Sequence, residues 1–292
     1  RYCPKVADQK NASECQVITF QQLLSMTAGI GELMLDGNPY SGSIFQTLQP
    51  YLQQPLLNVP GASYYYSNPN FMFAALFIEL LSGQYLQDYF AENIFAPLGL
   101  ANTYYDPFGG QFEMDEKLAP EYRRILLDSP AAPKLSTGQC SVDLNMGSIN
   151  GAGGLVGNLE DEAKFYYGLF NFTSFLHPLF KKKASLAALV KPWQNIKGDA
   201  YYAQGVVVNP RPGHPDVPIN IFYMGGTLCS QTANVMSLGQ NPLKPLMTQA
   251  FSQVAVAYAP SRAALEKAMA PGVGNFFGRT EKWRKMATPS DR

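Results

Sequence analysis

The sequence contains 292 residues, of which 46% are hydrophobic and 15% are charged. This apolar content supplies a large core and excludes an intrinsically disordered chain. Lysine plus arginine and aspartate plus glutamate number 22 each, so the net charge is zero. A neutral chain gives no electrostatic basis for nucleic acid or an anionic membrane surface as the main partner. The longest apolar run, residues 71–81, is shorter than the roughly 20 residues that span a bilayer, so no membrane-spanning helix is expected.

The histidines and cysteines give no pattern that is typical of a metal centre. The four cysteines lack the close paired spacing of a zinc site, and the only two histidines, His177 and His214, both adjoin prolines. A histidine-rich metal site and a Ser-His-Asp triad are therefore both disfavoured. We expect neither a metal nor an organic cofactor.

Two N-glycosylation sequons begin at Asn11 and Asn171. Together with the even number of cysteines they favour a secreted or lumenal protein. A disulfide between Cys3 and Cys15 is the expected pairing, and it would contribute about 3 kcal/mol in the chain-entropy view. The alternative of four buried free thiols stays open.

Helical patterns dominate the first two thirds of the chain. Helices are predicted at residues 18–26, 43–52, 69–82, 85–95, 161–170 and 179–190. Thr19 is a candidate cap of the first helix, and Gly29 and Gly31 are expected to end it. Asn68 is the expected cap of the third helix because Pro69 suits a first helical position, and Gly83 is its expected stop. This third helix is apolar nearly all round, which predicts burial on every side.

Strand patterns follow after residue 193. They are predicted at residues 201–208, 219–224, 232–238 and 253–258, with a closing helix at 261–269. Helices followed by an antiparallel sheet indicate an α+β fold. We expect one domain over residues 1–270, with a mainly helical lobe at 1–190, sheet strands and the closing helix at 191–270, and a basic tail at 271–292.

Four stretches, in order, carry a family resemblance. They are ITFQQLLSMTAGI at residues 18–30, PGASYYYSNPNFMFAALFIELLSGQ at 60–84, GAGGLVGNLEDEAKF at 151–165 and YMGGT at 223–227. In this order they resemble the serine β-lactamase and penicillin-binding protein superfamily, and within it the class C β-lactamase, esterase and D-aminopeptidase branch. The resemblance implies a β-lactamase/transpeptidase-like sheet flanked by helices, with an additional helical lobe.

The resemblance also implies site residues. Tyr66 and Asn68 stand at the family's Tyr-x-Asn motif, which implies that Tyr66 belongs to the proton relay and that Asn68 hydrogen-bonds the motif lysine or a substrate amide. The YMGGT stretch stands at a strand motif, which implies substrate binding by Met224, Gly225, Gly226 and Thr227. The simpler readings are a packing tyrosine at Tyr66, a helix cap at Asn68 and a strand bulge at the two glycines.

One missing motif and three substituted positions depart from the family pattern. No Ser-x-x-Lys occurs in the 292 residues, and only 17 residues precede the first motif, whereas the nucleophile of the family lies a few tens of residues before it. We therefore expect the first strands and the nucleophile helix to be missing from this sequence. Met224 stands where the family has lysine or histidine and supplies neither charge nor a donor. Met26 and Ala28 replace a histidine and a serine, and both are interpreted as structural.

Three hypotheses follow for the function. The first is a serine hydrolase that works through an acyl-enzyme on a small ester, amide or peptide. An esterase or amidase is favoured over a true β-lactamase. Because the Ser-x-x-Lys motif is absent, the chain as given should then be inactive. The second is a catalytically inactive homologue that acts as a binding or scaffold module. The third is an incomplete gene product that does not fold stably.

Overall fold

The structure is a computed structural model of the chain. It describes residues 17–33, 43–105, 149–169, 179–180, 183–211, 214–225, 231–237 and 246–252. The described helices are α1 Phe20–Leu24, α2 Ile44–Leu52, α3 Asn68–Ser82, α4 Leu86–Phe90, a π-helical turn Ala91–Phe95, α5 Ala96–Leu98, α6 Leu159–Leu169 and α7 Lys183–Val190. The described strands are β1 Tyr104–Tyr105, β2 Leu155–Val156, β3 Gln194–Lys197, β4 Ala200–Tyr202, β5 Val207–Arg211, β6 His214–Gly225, β7 Gln231–Ser237 and β8 Leu246–Ser252.

Helices precede most of the strands, which confirms the predicted α+β class. The short strands β1 and β2 pair antiparallel with each other. None of the helices in the described stretches is long and apolar enough to cross a lipid bilayer.

A short polar side chain, Thr19, starts the first helix, as the sequence predicts. Thr19 forms a capping box with Gln22: its hydroxyl accepts the Gln22 N–H at 3.3 Å, and the Gln22 side chain accepts the Thr19 N–H at 2.8 Å. Helix α1 ends at Leu24, however, before the glycines that were expected to stop it. The chain has already turned at Met26, whose φ of 58° is left-handed.

Helix α3 ends as predicted at Gly83, where a φ of 70° suits glycine. The prediction that it is buried on every side is wrong. Its first half is buried, whereas Phe77, Leu80 and Leu81 in its second half are 38%, 69% and 81% exposed. Because an all-round apolar pattern has no polar face, it does not reveal where the helix leaves the core.

One apolar cluster packs helices α1 to α4 together. Its buried members are Leu23, Ala28, Ile30, Ile44, Leu48, Tyr51, Leu56, Met72, Phe73, Ala75 and Leu86. Gly151 lies against this cluster with a φ of 97°, and a Cβ there would be 2.6 Å from the Cβ of Ala75. The loop before β2 therefore requires a glycine for its close approach to α3.

The larger sheet has six strands in chain order, β3 to β8. Strands β3 to β6 pair antiparallel, with Tyr202 opposite Val207 and Val208 opposite Ile221. The single strand predicted at residues 201–208 is in fact two strands, because Gly205 takes a φ of 85° and turns the chain. The register of β5 and β6 shifts around Pro210, since proline has no N–H to donate to a ladder.

Other strand and helix predictions have mixed outcomes. Strands β6 and β7 include the ranges predicted at 219–224 and, but for residue 238, at 232–238. Strands β3 and β8 were not predicted. The strand predicted at 253–258, the closing helix at 261–269 and the tail at 271–292 lie outside the described residues.

The chain divides into two compact units. The first comprises Arg1–Glu116, Leu144–Phe222 and Ser237–Leu246, and the second comprises Lys117–Asp143, Tyr223–Met236 and Met247–Arg292. The first contains the described helices, strands β1 to β5, residues 214–222 of β6, and one end residue each of β7 and β8. The described part of the second consists of strand segments at the end of β6, in β7 and in β8. The domain bounds expected from the sequence, including the division after residue 190, stay predictions.

Four residues with expected covalent chemistry lie outside the described stretches. They are Cys3 and Cys15 of the expected disulfide and Asn11 and Asn171 of the expected glycosylation sites. The disulfide, the glycans and the secreted or lumenal location that they favour therefore stay predictions.

Candidate functional site

The buried segment after α1 fixes the tyrosine-rich loop. The Met26 carbonyl accepts the Tyr65 N–H at 2.9 Å, the Thr27 carbonyl accepts the Gly61 N–H at 2.7 Å, and the Gly29 carbonyl accepts the Leu57 N–H at 2.7 Å. These three bonds hold the loop in a defined position along its length. The first and second motifs of the sequence are thus bound to each other directly.

The three consecutive tyrosines have different surroundings. The Tyr64 ring packs on Tyr202 of β4 with ring centroids 5.2 Å apart, and the Tyr65 backbone is bound to Met26. Tyr66 is 45% exposed, and its hydroxyl makes no hydrogen bond to the described part of the chain. The packing role considered for Tyr66 therefore falls to Tyr64, and the Tyr66 phenol can meet a ligand.

The predicted cap of α3 is wrong by one residue. Ser67 is the N-cap, with φ −154° and ψ 123°, and Asn68 is the first residue of the helix. The Ser67 side chain makes no capping bond, since the N–H that it could reach at the second helical position belongs to a proline. The Asn68 N–H is bound from outside the helix, by Oε2 of Glu32 at 2.7 Å.

Glu32 is the site residue that sequence reasoning missed. Its Oε1 also accepts from Nδ2 of Asn68 at 3.5 Å, so one carboxylate receives both the backbone and the side chain of the motif asparagine. A carboxylate is favourable at the first turn of a helix because it meets the positive end of the helix dipole. The contact joins residues 36 positions apart, and no local spacing rule indicates it.

The described surroundings favour the protonated form of Tyr66. Burial raises its pKa above the usual value, and the negative charge of Glu32 adds to the effect. Glu32 likewise adds to the burial that raises the pKa of Tyr51 to about 12. A tyrosine acts as a base near neutral pH only where neighbouring cations lower its pKa. Burial and the Glu32 carboxylate instead raise the pKa of Tyr66. In these surroundings Tyr66 is therefore a neutral donor.

A buried sulfur atom binds the middle residue of the triplet Tyr66-Ser67-Asn68. Sδ of Met26 accepts the Ser67 N–H and Nδ2 of Asn70, both at 3.5 Å. Oγ of Ser67 and Oδ1 of Asn70 are buried without a partner among the described residues. Met26 is 2% exposed and Ala28 fully buried, as their structural interpretation requires. The two oxygens lack a donor at the position where the resemblance places a histidine.

Replacing Met26 with histidine is expected to raise the free energy of unfolding by about 1 kcal/mol above pH 7. A neutral imidazole has one donor and one acceptor nitrogen, so it can bind an unpaired oxygen and still accept an N–H. Histidine is also among the residues that tolerate a left-handed φ. Urea unfolding of the variant beside Met26→Leu, which adds no donor, measures the effect. Equal destabilisation by both variants would contradict this account of the site.

The strand motif is only partly described. Met224 and Gly225 are the last two residues of β6, while Gly226 and Thr227 lie outside the described residues. The substrate-binding role expected for these four residues stays a prediction. No three histidine, cysteine, aspartate or glutamate side chains in the described stretches lie close enough together to hold a metal ion.

The sequence motifs and this geometry agree with a comparison against protein families. A family model described as Beta-lactamase matches residues 1–264. The chain belongs to the β-lactamase family. The resemblance carried by the four motifs is thereby confirmed.

Solved structures confirm the β-lactamase/transpeptidase-like fold. The penicillin-binding protein of Bacillus halodurans superposes with a TM-score of 0.63 at 21% identity, covering 86% of this chain and 72% of that one. The D-amino acid amidase of Ochrobactrum anthropi superposes with a TM-score of 0.55 at 16% identity, covering 84% and 68%. At these identities the likeness shows the fold alone.

One curated relative is a proposed D-alanyl-D-alanine carboxypeptidase of Escherichia coli K12. It is 30% identical over 143 residues, which are 46% of this chain and 33% of that protein. The chain thus spans about a third of the length of the curated relative that it matches.

Proposed function

We propose that the native protein is a serine acyl hydrolase of the β-lactamase family that cleaves a small ester, amide or peptide. The observation that carries the proposal is the triplet at the start of α3. Glu32 binds Asn68 there, while Tyr66 stays half exposed with a hydroxyl that makes no hydrogen bond to the described residues. Such a pair of polar groups, held rigidly beside a buried helix, is suited to orient a substrate and move a proton.

The roles follow from acyl transfer. A serine oxygen attacks the carbonyl carbon and forms the acyl-enzyme, and the proton it loses must reach the leaving group. The lysine of the expected Ser-x-x-Lys motif takes the proton of the attacking serine. Tyr66 is protonated in its described surroundings, so it can donate its proton to the leaving group and then recover one from that lysine. Oδ1 of Asn68 makes no hydrogen bond to the described residues, and it can accept from a substrate amide.

Names of relatives support an amide or peptide substrate. One curated relative is a proposed D-alanyl-D-alanine carboxypeptidase, and one structural relative is a D-amino acid amidase. Met224 supplies neither charge nor a donor for a free substrate carboxylate. We therefore favour an esterase or amidase over a carboxypeptidase or a true β-lactamase.

The reaction requires a nucleophile that these 292 residues do not contain in a Ser-x-x-Lys motif. The proposal therefore concerns the native protein, and the chain as given is predicted to be inactive by this mechanism. The same fact favours the second candidate, a catalytically inactive homologue that binds a ligand with Tyr66 and Asn68.

A fluorophosphonate probe separates the two candidates. It forms a covalent bond with an activated serine and not with an unactivated one. The serine oxygen bonds phosphorus as fluoride leaves, so we expect the native protein to gain the mass of one probe less hydrogen fluoride. We expect no gain after heat denaturation. No adduct on the folded native protein would exclude the hydrolase and leave the binding module.

The binding-module hypothesis makes its own prediction, which a measurement of the melting temperature tests. D-phenylalanine amide, chosen as a probe of the amide class, should raise the melting temperature of an unlabelled protein. The shift should disappear in Asn68→Ala if the triplet forms the binding site. If the native protein forms the covalent adduct, the hydrolase explains the triplet and no separate binding module is needed.

A further inference from the structure

Glu32 has no role in the reaction as derived above, yet it makes the closest contact to the triplet. Its two carboxylate oxygens meet the backbone N–H and the Nδ2 of Asn68 at 2.7 and 3.5 Å. Its charge also acts on Tyr66 and on Tyr51 of α2. Glu32 thus lies among the two expected site residues and a buried tyrosine.

We propose that Glu32 is the positioning residue of the triplet, holding Asn68 from outside α3 and so fixing how Asn68 and Tyr66 face a substrate. The catalytic consequence rests on the proposed function, whereas the Glu32–Asn68 contact does not. No local group replaces this carboxylate, because the Ser67 side chain makes no capping bond. The Asn70 N–H bonds instead to the Ser67 carbonyl at 3.2 Å.

Stability alone does not explain a carboxylate at this position. Burial raises the pKa of Glu32 above its ordinary value, and the two hydrogen bonds from Asn68 only partly oppose this effect. A carboxyl with a raised folded pKa favours folding most below its unfolded pKa, near 4.5, and this contribution is lost as pH rises through the folded pKa. At neutral pH the ionised carboxylate therefore stabilises the fold less than the protonated carboxyl would, so proton linkage gives no stability reason for the charge.

The pH dependence of the Asn68 NMR signals, which follows the ionisation of Glu32, tests the proposal in the full 292-residue chain. We expect the backbone and side-chain NH resonances of Asn68 in ¹⁵N NMR spectra to shift with pH, with a midpoint above 4.5, because both groups donate to the ionising carboxylate. Tyr51 and Tyr66, the other titratable groups that act on Glu32 among the described residues, ionise far above this range. If the Asn68 resonances of the wild-type chain do not shift between pH 4 and 8, the proposal is overturned without any variant.

Two substitutions complete the test. Glu32→Gln keeps an acceptor oxygen but removes the charge, so the Asn68 shift with pH should disappear. Glu79→Gln is the matched control, since Glu79 accepts the Leu86 N–H at 3.0 Å at the start of α4 and should leave the Asn68 titration unchanged. A titration that persists in Glu32→Gln, or disappears in Glu79→Gln, would overturn the assignment.

Steady-state kinetics of the native protein provide a further test, which depends on its activity. Glu32→Gln should lower kcat about tenfold with little change in KM, because a misplaced triplet weakens transition-state contacts more than ground-state binding. Loss of stability alone would move neither kcat nor its pH profile per folded molecule. If the native protein hydrolyses nothing, the proposed function fails, while the Asn68 titration still decides the role of Glu32.

Discussion

Tyr66→Phe in the native protein is expected to lower turnover of an activated ester or amide by about a hundredfold or more. The substitution removes one hydroxyl that makes no hydrogen bond to the described residues, so it leaves no buried group unpaired. The folded state should therefore keep its stability while proton transfer to the leaving group slows. Steady-state kinetics and urea unfolding of the same preparation measure both quantities.

Tyr65→Phe is the matched control for this prediction. It removes the same hydroxyl from the preceding residue, whose link to Met26 runs through the backbone and is retained. We expect its turnover to stay within a factor of two or three of the wild type. An unchanged rate in Tyr66→Phe would remove Tyr66 from the mechanism, and equal losses in both variants would point to loop packing instead.

Gly29→Ala is expected to lower the free energy of unfolding by about 2 to 5 kcal/mol. Gly29 has a φ of 79°, and a Cβ there would overlap the Asn58 carbonyl oxygen and lie 3.3 Å from its carbon. The obstacle is backbone, which cannot rotate away as a side chain does. The Leu57 N–H bond to the Gly29 carbonyl lies at the same contact, so relief of the overlap would displace the loop. Urea unfolding measures the loss.

Gly83, which ends helix α3, provides the control substitution without steric overlap. Gly83 has a similar φ of 70°, but nothing lies within 4 Å of a Cβ built on it. Gly83→Ala should therefore cost only the left-handed strain, about 1 to 2 kcal/mol. Equal losses at the two glycines would show that the loop at Asn58 yields freely and does not hold the triplet in place.

Features that depend on neighbouring residues could be predicted from the sequence. The cap at Thr19 and the stop at Gly83 each follow from one residue and the few that follow or precede it. The polar triplet before an apolar helix was likewise visible, because four ordered motifs identified the family. The family resemblance therefore implied where the candidate site begins and pointed to Tyr66 as a residue that faces a substrate, and that role stays a prediction.

Features that depend on distant residues could not be predicted in this way. Glu32 and Asn68 are 36 positions apart, and only folding brings that carboxylate to the helix start. Asn68 was expected to cap α3, but Ser67 is the N-cap, and the outside carboxylate accepts the N–H of Asn68 at the first helical position. The split between β4 and β5 was missed for a different reason: only Gln204 and Gly205 interrupt the apolar pattern of residues 201–208, and Gly205 makes the turn.

The most direct test of the central claim is a peptide mass map of the native protein, read against its transcript. The account predicts a Ser-x-x-Lys on an amphipathic helix N-terminal to Ile18, with the fluorophosphonate adduct on that serine. A native chain that begins at Arg1, or an upstream helix without the serine and lysine, would contradict it. Tyr66 and Asn68 would then belong to a family fold that binds a ligand without hydrolysing it.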